Sequence, residues 1–365
     1  MATSKSPRLP RWERARVREP APWCRALCIG AAALILAACA SPASSSSGKA
    51  GGNYFAGKTI TLVAGSSAGG GTDTVNRVIA RHLGRFIPGS PTVIVENVDG
   101  AGGLTALNRV ATAKPDGLTW DGSNSATLLY AQLQGQSQVR YDLTKMVWAG
   151  NAFQDSDVLW VRSATPFSDL DSVRSAATPP KLGGQAATHT SVVTPKLVQE
   201  LTGLKFNIVV GYPGSPEIFL DVERGVLDGR MASYPSLKTQ RPDWITNGTI
   251  RFLMFVGHQR SPDLPNVPAL DEITPPDKRD QLALVYSSYI MTRAMLGPAG
   301  MTPDVAKTVQ DAYAGMSKDA AFKADVAKTG FEPVLAGPQE IQDAVSKVIT
   351  NNDMKSLLLR VLSQK

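Results

Sequence analysis

The residues best placed to do chemistry in this 365-residue chain are Gly69-Gly70-Gly71, followed by Thr72 and Asp73. Thr59-Ile60-Thr61-Leu62-Val63 before them reads as a short apolar strand, and Val75, Val78, Ile79 and Leu83 after them recur at helical spacing. Glycines between a strand and a helix let the backbone approach a ligand, and the first N–H groups of the helix then point at an anion. Thr72 or Asp73 is expected to cap that helix. A tight structural turn would use the same residues. Three further loops share this small, polar character: Ser123 to Thr127, Pro179 to Ser191, and Gly211 to Glu217.

Composition excludes several other chemistries. The cysteines are Cys24, Cys28 and Cys39, all near the N-terminus, so the remainder can form neither a disulfide nor a thiolate metal site. His82, His189 and His258 lie far apart, with no pair at metal-ligand spacing. Neither a metal nor a cofactor is therefore expected. The net charge of +7 is mostly a property of the first 38 residues, which hold seven Lys/Arg and two Asp/Glu; the rest carries 31 basic and 29 acidic residues. That balance gives no nucleic-acid footprint.

The elements that must position these loops read as alternating strands and helices. Pro91 to Asn97 is a second strand rich in β-branched residues, so the chain opens β-α-β, with parallel pairing and a right-handed crossover expected. Gly100-Ala101-Gly102-Gly103 begins another helix, and Leu118-Thr119-Trp120 leads into the Ser123 loop. Strands are expected at 147–149, 158–161, 206–210, 227–231 and 250–256, and a short helix opens near Pro166. The C-terminal part reads mainly as helices: 281–288, 303–316, 320–329 and 338–362. Strand, small-polar loop and helix thus recur in two blocks. This predicts an α/β fold of two lobes that aim their loops at one cleft.

The N-terminus reads as an export signal. Met1 to Arg25 is basic and Pro-rich, and Ala26 to Ala38 is an apolar run too short to span a membrane. Leu36-Ala37-Ala38-Cys39 resembles a bacterial lipobox, which implies lipid attachment at Cys39 after cleavage. An ordinary signal peptide or a short anchor helix are the alternatives. Residues 39–56 then form a Ser/Gly-rich tether.

Together these stretches resemble one family, the extracytoplasmic solute-binding proteins of tripartite tricarboxylate transporters, also called the Bug family. Gly69-Gly70-Gly71-Thr72-Asp73 is similar to its first signature, and Val95-Glu96-Asn97 with Gly100-Ala101-Gly102-Gly103 to its second. Lys114-Pro115-Asp116-Gly117-Leu118-Thr119, Leu264-Pro265-Asn266-Val267-Pro268 and Gly297-Pro298-Ala299-Gly300 resemble later family turns. Gly211 to Glu217, with Glu223-Arg224-Gly225 and Asp228-Gly229-Arg230, is similar to one subgroup.

The resemblance implies a periplasmic-binding-protein-like fold, with two α/β lobes around a ligand cleft joined by a hinge. Lobe 1 would hold residues 57–157 and 258–365, and lobe 2 residues 158–257. It implies no enzyme activity. Instead, closure on a small carboxylate would be followed by delivery to membrane transporter subunits, by a monomer anchored through Cys39 in the periplasm or on the outer face of the cytoplasmic membrane. The ligand-binding residues implied are Gly70, Gly71, Thr72, Asp73, Ser125, Thr188, Thr190, Ser191, Tyr212, Gly214 and Ser215. His189 lies near, but out of register with, a common family histidine, and is a further candidate. An ionised Asp73 cannot donate to a carboxylate, so it would order the loop, hold water or meet an amino group.

Family members usually carry Pro and Phe where Gly65 and Ser66 stand, and Pro where Ala68 stands. A ligand sensor for a membrane receptor kinase is the main alternative use of the fold. An exported nucleotide-dependent enzyme is disfavoured, because Gly69-x-Gly71-x-x-Thr74 lacks the third glycine of a dinucleotide fingerprint. There is no phosphate-binding G-x-x-x-x-G-K-[ST] loop and no G-x-S-x-G elbow.

Overall fold

A computed structural model describes residues 53–364. The export signal, Cys39 and most of the tether lie outside the described residues.

Eleven strands form two sheets among the described residues. They are β1 (Thr59–Ala64), β2 (Thr92–Asn97), β3 (Thr119–Asp121), β4 (Val147–Gln154), β5 (Asp157–Arg162), β6 (Lys181–Gly183), β7 (Asn207–Val209), β8 (Gly229–Ser233), β9 (Ile250–Phe255), β10 (Met295–Gly297) and β11 (Glu332–Ala336). The first sheet runs β11-β4-β10-β3-β1-β2, and the second β7-β6-β8-β5-β9. β1 pairs in parallel with both β2 and β3, as the opening β-α-β pattern requires. β10 and β11 add to β3 and β4 in antiparallel fashion. In the second sheet β6 is parallel to β7 and β8, while β5 runs against β8 and β9.

Strand alternation sorts side chains between cores. Ile60 and Leu62 enter one apolar cluster with Val75, Ile79, Trp120 and Tyr313, while Val63 enters another. Leu159, Val161 and Met231 of the second sheet join the cluster that holds Val63, whereas Val158 and Trp160 pack with Phe219 and Trp244. One core therefore extends from the inner face of one sheet to the other. The C-terminal helix Asn352–Ser363 contributes Leu358 and Val361 to it and sets Arg360 3.0 Å from Glu200 of the helix Thr190–Thr202.

Several elements differ from the sequence expectation. β10 and β11 fall in the part expected to be helical; each is short, and β11 is a largely exposed strand that contains Pro333. β6 lies inside the stretch expected to be loop. The helices Tyr234–Gln240 and Pro242–Thr246 were not anticipated. The last long helix is two, Pro338–Thr350 and Asn352–Ser363. Asn351 leaves helical geometry between them and its side chain accepts the Met354 N–H, a cap that restarts the helix.

The chain passes from the first sheet to the second between β4 and β5, at Asp155 and Ser156, and leaves the second after β9. The site lies where these crossings bring the sheets together.

Candidate functional site

The loop after β1 is ordered by the residue four positions on. Asp73 is buried, and its carboxylate accepts from the Gly69 N–H at 2.9 Å, Arg77 Nε at 2.9 Å and Asn97 Nδ2 at 3.0 Å. Asn97, at the end of β2, also donates to the Ser66 carbonyl at 2.9 Å. Burial pushes the Asp73 pKa up, but the bonds from Arg77, Gly69 and Asn97 outweigh it and hold the carboxyl below its ordinary range. The helix starts at Gly71 with Gly70 as its N-cap and no side chain capping it, so neither Thr72 nor Asp73 caps it. That leaves the first N–H groups for something other than the helix.

Two glycines here answer to close approach. A Cβ on Gly71 would lie 2.2 Å from Ser236 Oγ, which belongs to the helix following β8 in the second sheet. A Cβ on Gly65 would lie 2.4 Å from Ser123 Oγ, and the Gly65 N–H donates to that oxygen at 2.9 Å. Proline at position 65 would have neither the space nor the proton. Gly65 is therefore tied to Ser123, which donates in turn to Asp121 at 2.8 Å. Burial pushes the Asp121 carboxyl up to about 7 against the two bonds from Ser123.

Across the cleft, His189 caps the helix Thr190–Thr202, its Nδ1 accepting the Ser191 N–H at 3.1 Å. That bond puts the ring proton on Nε2. Burial first, then the charges of Arg230 and Arg293, draw the imidazole down to about 3, so it is neutral at physiological pH. Thr190 Oγ1 accepts from Asn124 Nδ2 at 3.0 Å, which joins a loop of the first sheet to a helix of the second. The third loop ends at the helix Ser215–Glu223, where Gly214 is an N-cap without side-chain help. Tyr212 OH donates to Asp221 at 2.7 Å and holds that loop.

These loops enclose a cleft of about 480 Å³. Of the sequence-predicted residues, Gly70, Gly71, Thr72, His189, Thr190, Ser191, Tyr212, Gly214 and Ser215 line it. Asp73, Ser125 and Thr188 are not in its wall: Asp73 faces the loop, while Ser125 and Thr188 are buried behind it.

The cleft also holds charged residues that the sequence reading did not select: Asp155, Asp157, Arg230 and Arg293. All four are more than nine-tenths buried. Arg293 Nε donates to Asp155 at 2.9 Å, and its two other nitrogens reach Thr72 Oγ1 at 3.1 Å and Ser236 Oγ at 3.3 Å. Asp155 also accepts from Ser233 Oγ at 2.6 Å, so the residue at the crossing binds groups from both sheets. Arg230 Nη1 donates to Ser215 Oγ at 2.8 Å. Burial and the Asp155 charge push the Asp157 carboxyl up to about 7, against the pull of the Tyr289 hydroxyl, Arg230 and Arg293. The available signal was a charged residue among apolar or small neighbours, within β8 at Gly229-Arg230-Met231 and just before β10 at Arg293-Ala294-Met295.

Two α/β sheets around a cleft walled by helix starts and small polar loops define a two-lobed solute-binding protein. The chain belongs to the family described as "Tripartite tricarboxylate transporter family receptor", whose profile matches residues 75–356. It is 26% identical over 300 residues to a UPF0065 protein in the gbd 5′ region of Cupriavidus necator, covering 81% of this chain and 85% of that one. Among solved structures it is similar to the periplasmic binding protein BugD, with a TM-score of 0.67 and 21% identity over 84% of this chain and 98% of that chain. MatC from Rhodopseudomonas palustris, solved with bound malate, is similar with a TM-score of 0.65 and 18% identity over 84% of this chain and 99% of that chain. No helix among the described residues is long and apolar enough to cross a membrane.

Proposed function

We propose that this chain is an exported receptor that binds a small organic acid in the cleft between its sheets and hands it to the membrane subunits of a tripartite transporter. The observation that carries the reading is the convergence on one cleft of two helix starts without side-chain caps, those at Gly71 and Ser215. Free N–H groups at a helix start favour an anion, and two of them on opposite sides of a cleft suit a carboxylate ligand. The malate bound to MatC is support of the same kind, since it is an organic acid in a protein of similar fold. The residues expected to meet the ligand are those of the cleft-lining loops, with Asp73 fixing the first loop from behind.

The mechanism is closure without covalent chemistry. Ligand contacts made from both lobes at once stabilise the closed arrangement over the open one, and only that difference moves the population. The hinge would lie at the two crossings, near Asp155–Ser156 and beyond β9. A lipid on Cys39 and the flexible tether would hold a monomer at the outer face of the membrane, within reach of the permease.

A thermal-shift screen against mono-, di- and tricarboxylates, amino acids, sugars and nucleotides tests the reading. A ligand at a hundred times its Kd adds about 2.7 kcal/mol and moves the midpoint by several degrees. Stabilisation by carboxylates is the expected result. Stabilisation by nucleotides or sugars alone would overturn it.

A further inference from the structure

We propose that Arg230 is the direct anchor of the ligand's carboxylate, making the ligand's charge, and not only its fit to the loops, the basis of selection. The proposal rests on the carboxylate reading above and names the group that enforces it.

The two arginines of the cleft keep different company. Arg293 is satisfied within the chain, by Asp155, Thr72 and Ser236. Arg230 has one neutral partner, Ser215 Oγ. Its Nε is buried with no acceptor among the described residues. Arg293 has a salt bridge with Asp155, and Arg230 has none among those residues. Yet Arg230 is only 4% exposed. Asp157 shares the cleft and its charge is felt by Arg230, but it makes no salt bridge with it. A buried guanidinium that no carboxylate touches is costly, and one kept in a ligand cleft suits a charge that arrives from outside.

Geometry puts that charge at one end of the cleft. Arg230 stands on β8 directly opposite Trp160 of β5, so the two side chains share a face, while Met231 turns into the core. Its bond to Ser215 ties the guanidinium to the first residue of the helix Ser215–Glu223. The helix start and the guanidinium therefore favour an anion at the same spot. A carboxylate on the guanidinium edge that Ser215 leaves free would supply both an acceptor and a counter-charge in the charge-assisted geometry that arginine provides. Trp160 and Phe219 wall the cleft beside it. The class of ligand is thus an organic acid with an apolar stem next to its carboxylate.

Titration of the intact chain and of Arg230→Met with short mono- and dicarboxylates, each alongside its primary amide, tests the anchor. Wild type is expected to prefer the acid to its amide by about a hundredfold. In Arg230→Met the preference is expected to fall to within about threefold, because the acid loses far more affinity than the amide, with circular dichroism showing a folded chain. A purely structural role would weaken acid and amide alike and keep their ratio, which would overturn the proposal. Arg230→Lys carries the test should the methionine variant not fold: the retained charge without the planar fork is expected to cost about tenfold of the preference, and an unchanged ratio overturns the anchor. A wild-type chain that binds no carboxylate would instead overturn the carboxylate reading itself.

Discussion

Asp73 and Asp157 show how the same side chain serves two ends. Asp73 is held ionised by three donors and faces away from the cleft wall. Asp73→Ala leaves the Gly69 N–H and Asn97 without their acceptor, at a cost of about 1–3 kcal/mol. The expected outcome is a lower urea midpoint and a Kd about tenfold weaker in calorimetry, with the fold retained. An unchanged Kd would show that the loop does not depend on this carboxylate. Asp157 lies in the cleft with a pKa raised to about 7, facing Asp155, Arg230 and Arg293. Below that pH it is protonated and neutral toward a ligand; above it, it becomes a second negative charge beside the incoming one. Binding of an ionised carboxylate is therefore expected to weaken as pH rises through about 7 and to take up protons there. His189 is already neutral across that range, and Asp121, which also titrates near 7, stands outside the cleft wall. Kd measured across the neutral range should flatten in Asp157→Asn; an unchanged slope in that variant would assign the titration elsewhere. The same sign governs folding: the raised Asp157 pKa contributes stability that is complete below about 3.8 and is lost as pH rises through about 7.

Element by element, the opening of the chain was legible because β1, β2 and β3 are each followed by small or polar residues and then a helix. β10, with three residues, carries no period of its own, and its place between β3 and β4 depends on partners more than a hundred residues earlier. The loops that wall the cleft could be read because glycine, serine and threonine after a strand have few other uses. What could not be read was the facing of one element on another. Gly71 looks like any turn glycine until Ser236 is found against it. Gly71→Ala places a Cβ 2.2 Å from Ser236 Oγ, and it is expected to lower the melting temperature, as overpacking by about 1–3 kcal/mol does, and to weaken ligand binding by about tenfold. Removing the clashing group in Gly71→Ala/Ser236→Gly should recover most of that loss, which a double-mutant cycle measures. Independent, additive effects would show that the two do not meet in the bound state.

At the scale of the whole molecule, the charged floor of the cleft is assembled from remote parts of the chain. Asp155 and Arg293 are 138 positions apart, Arg230 comes from β8, and no local pattern links them. Sequence marked the residues supplied by loops and missed the charged ones, which sit on β5 and β8, at the crossing and in the turn before β10. The floor matters to closure because Asp155, at the crossing, bonds Ser233 on one side and Arg293 on the other. Asp155→Asn removes the counter-charge of Arg293 inside a buried pair, and a loss of about 3 kcal/mol or more of stability is expected in urea denaturation. A loss near zero would mean that the pair does not hold the crossing.

The measurement that bears most directly on the receptor reading is an isothermal titration of the intact chain with a short dicarboxylate series beside the corresponding diamides. One ligand per chain, with the acids bound and the diamides not, is the result expected of a cleft that closes on an organic acid. Equal heats and affinities for acid and diamide, or binding confined to nucleotides or sugars, would contradict it.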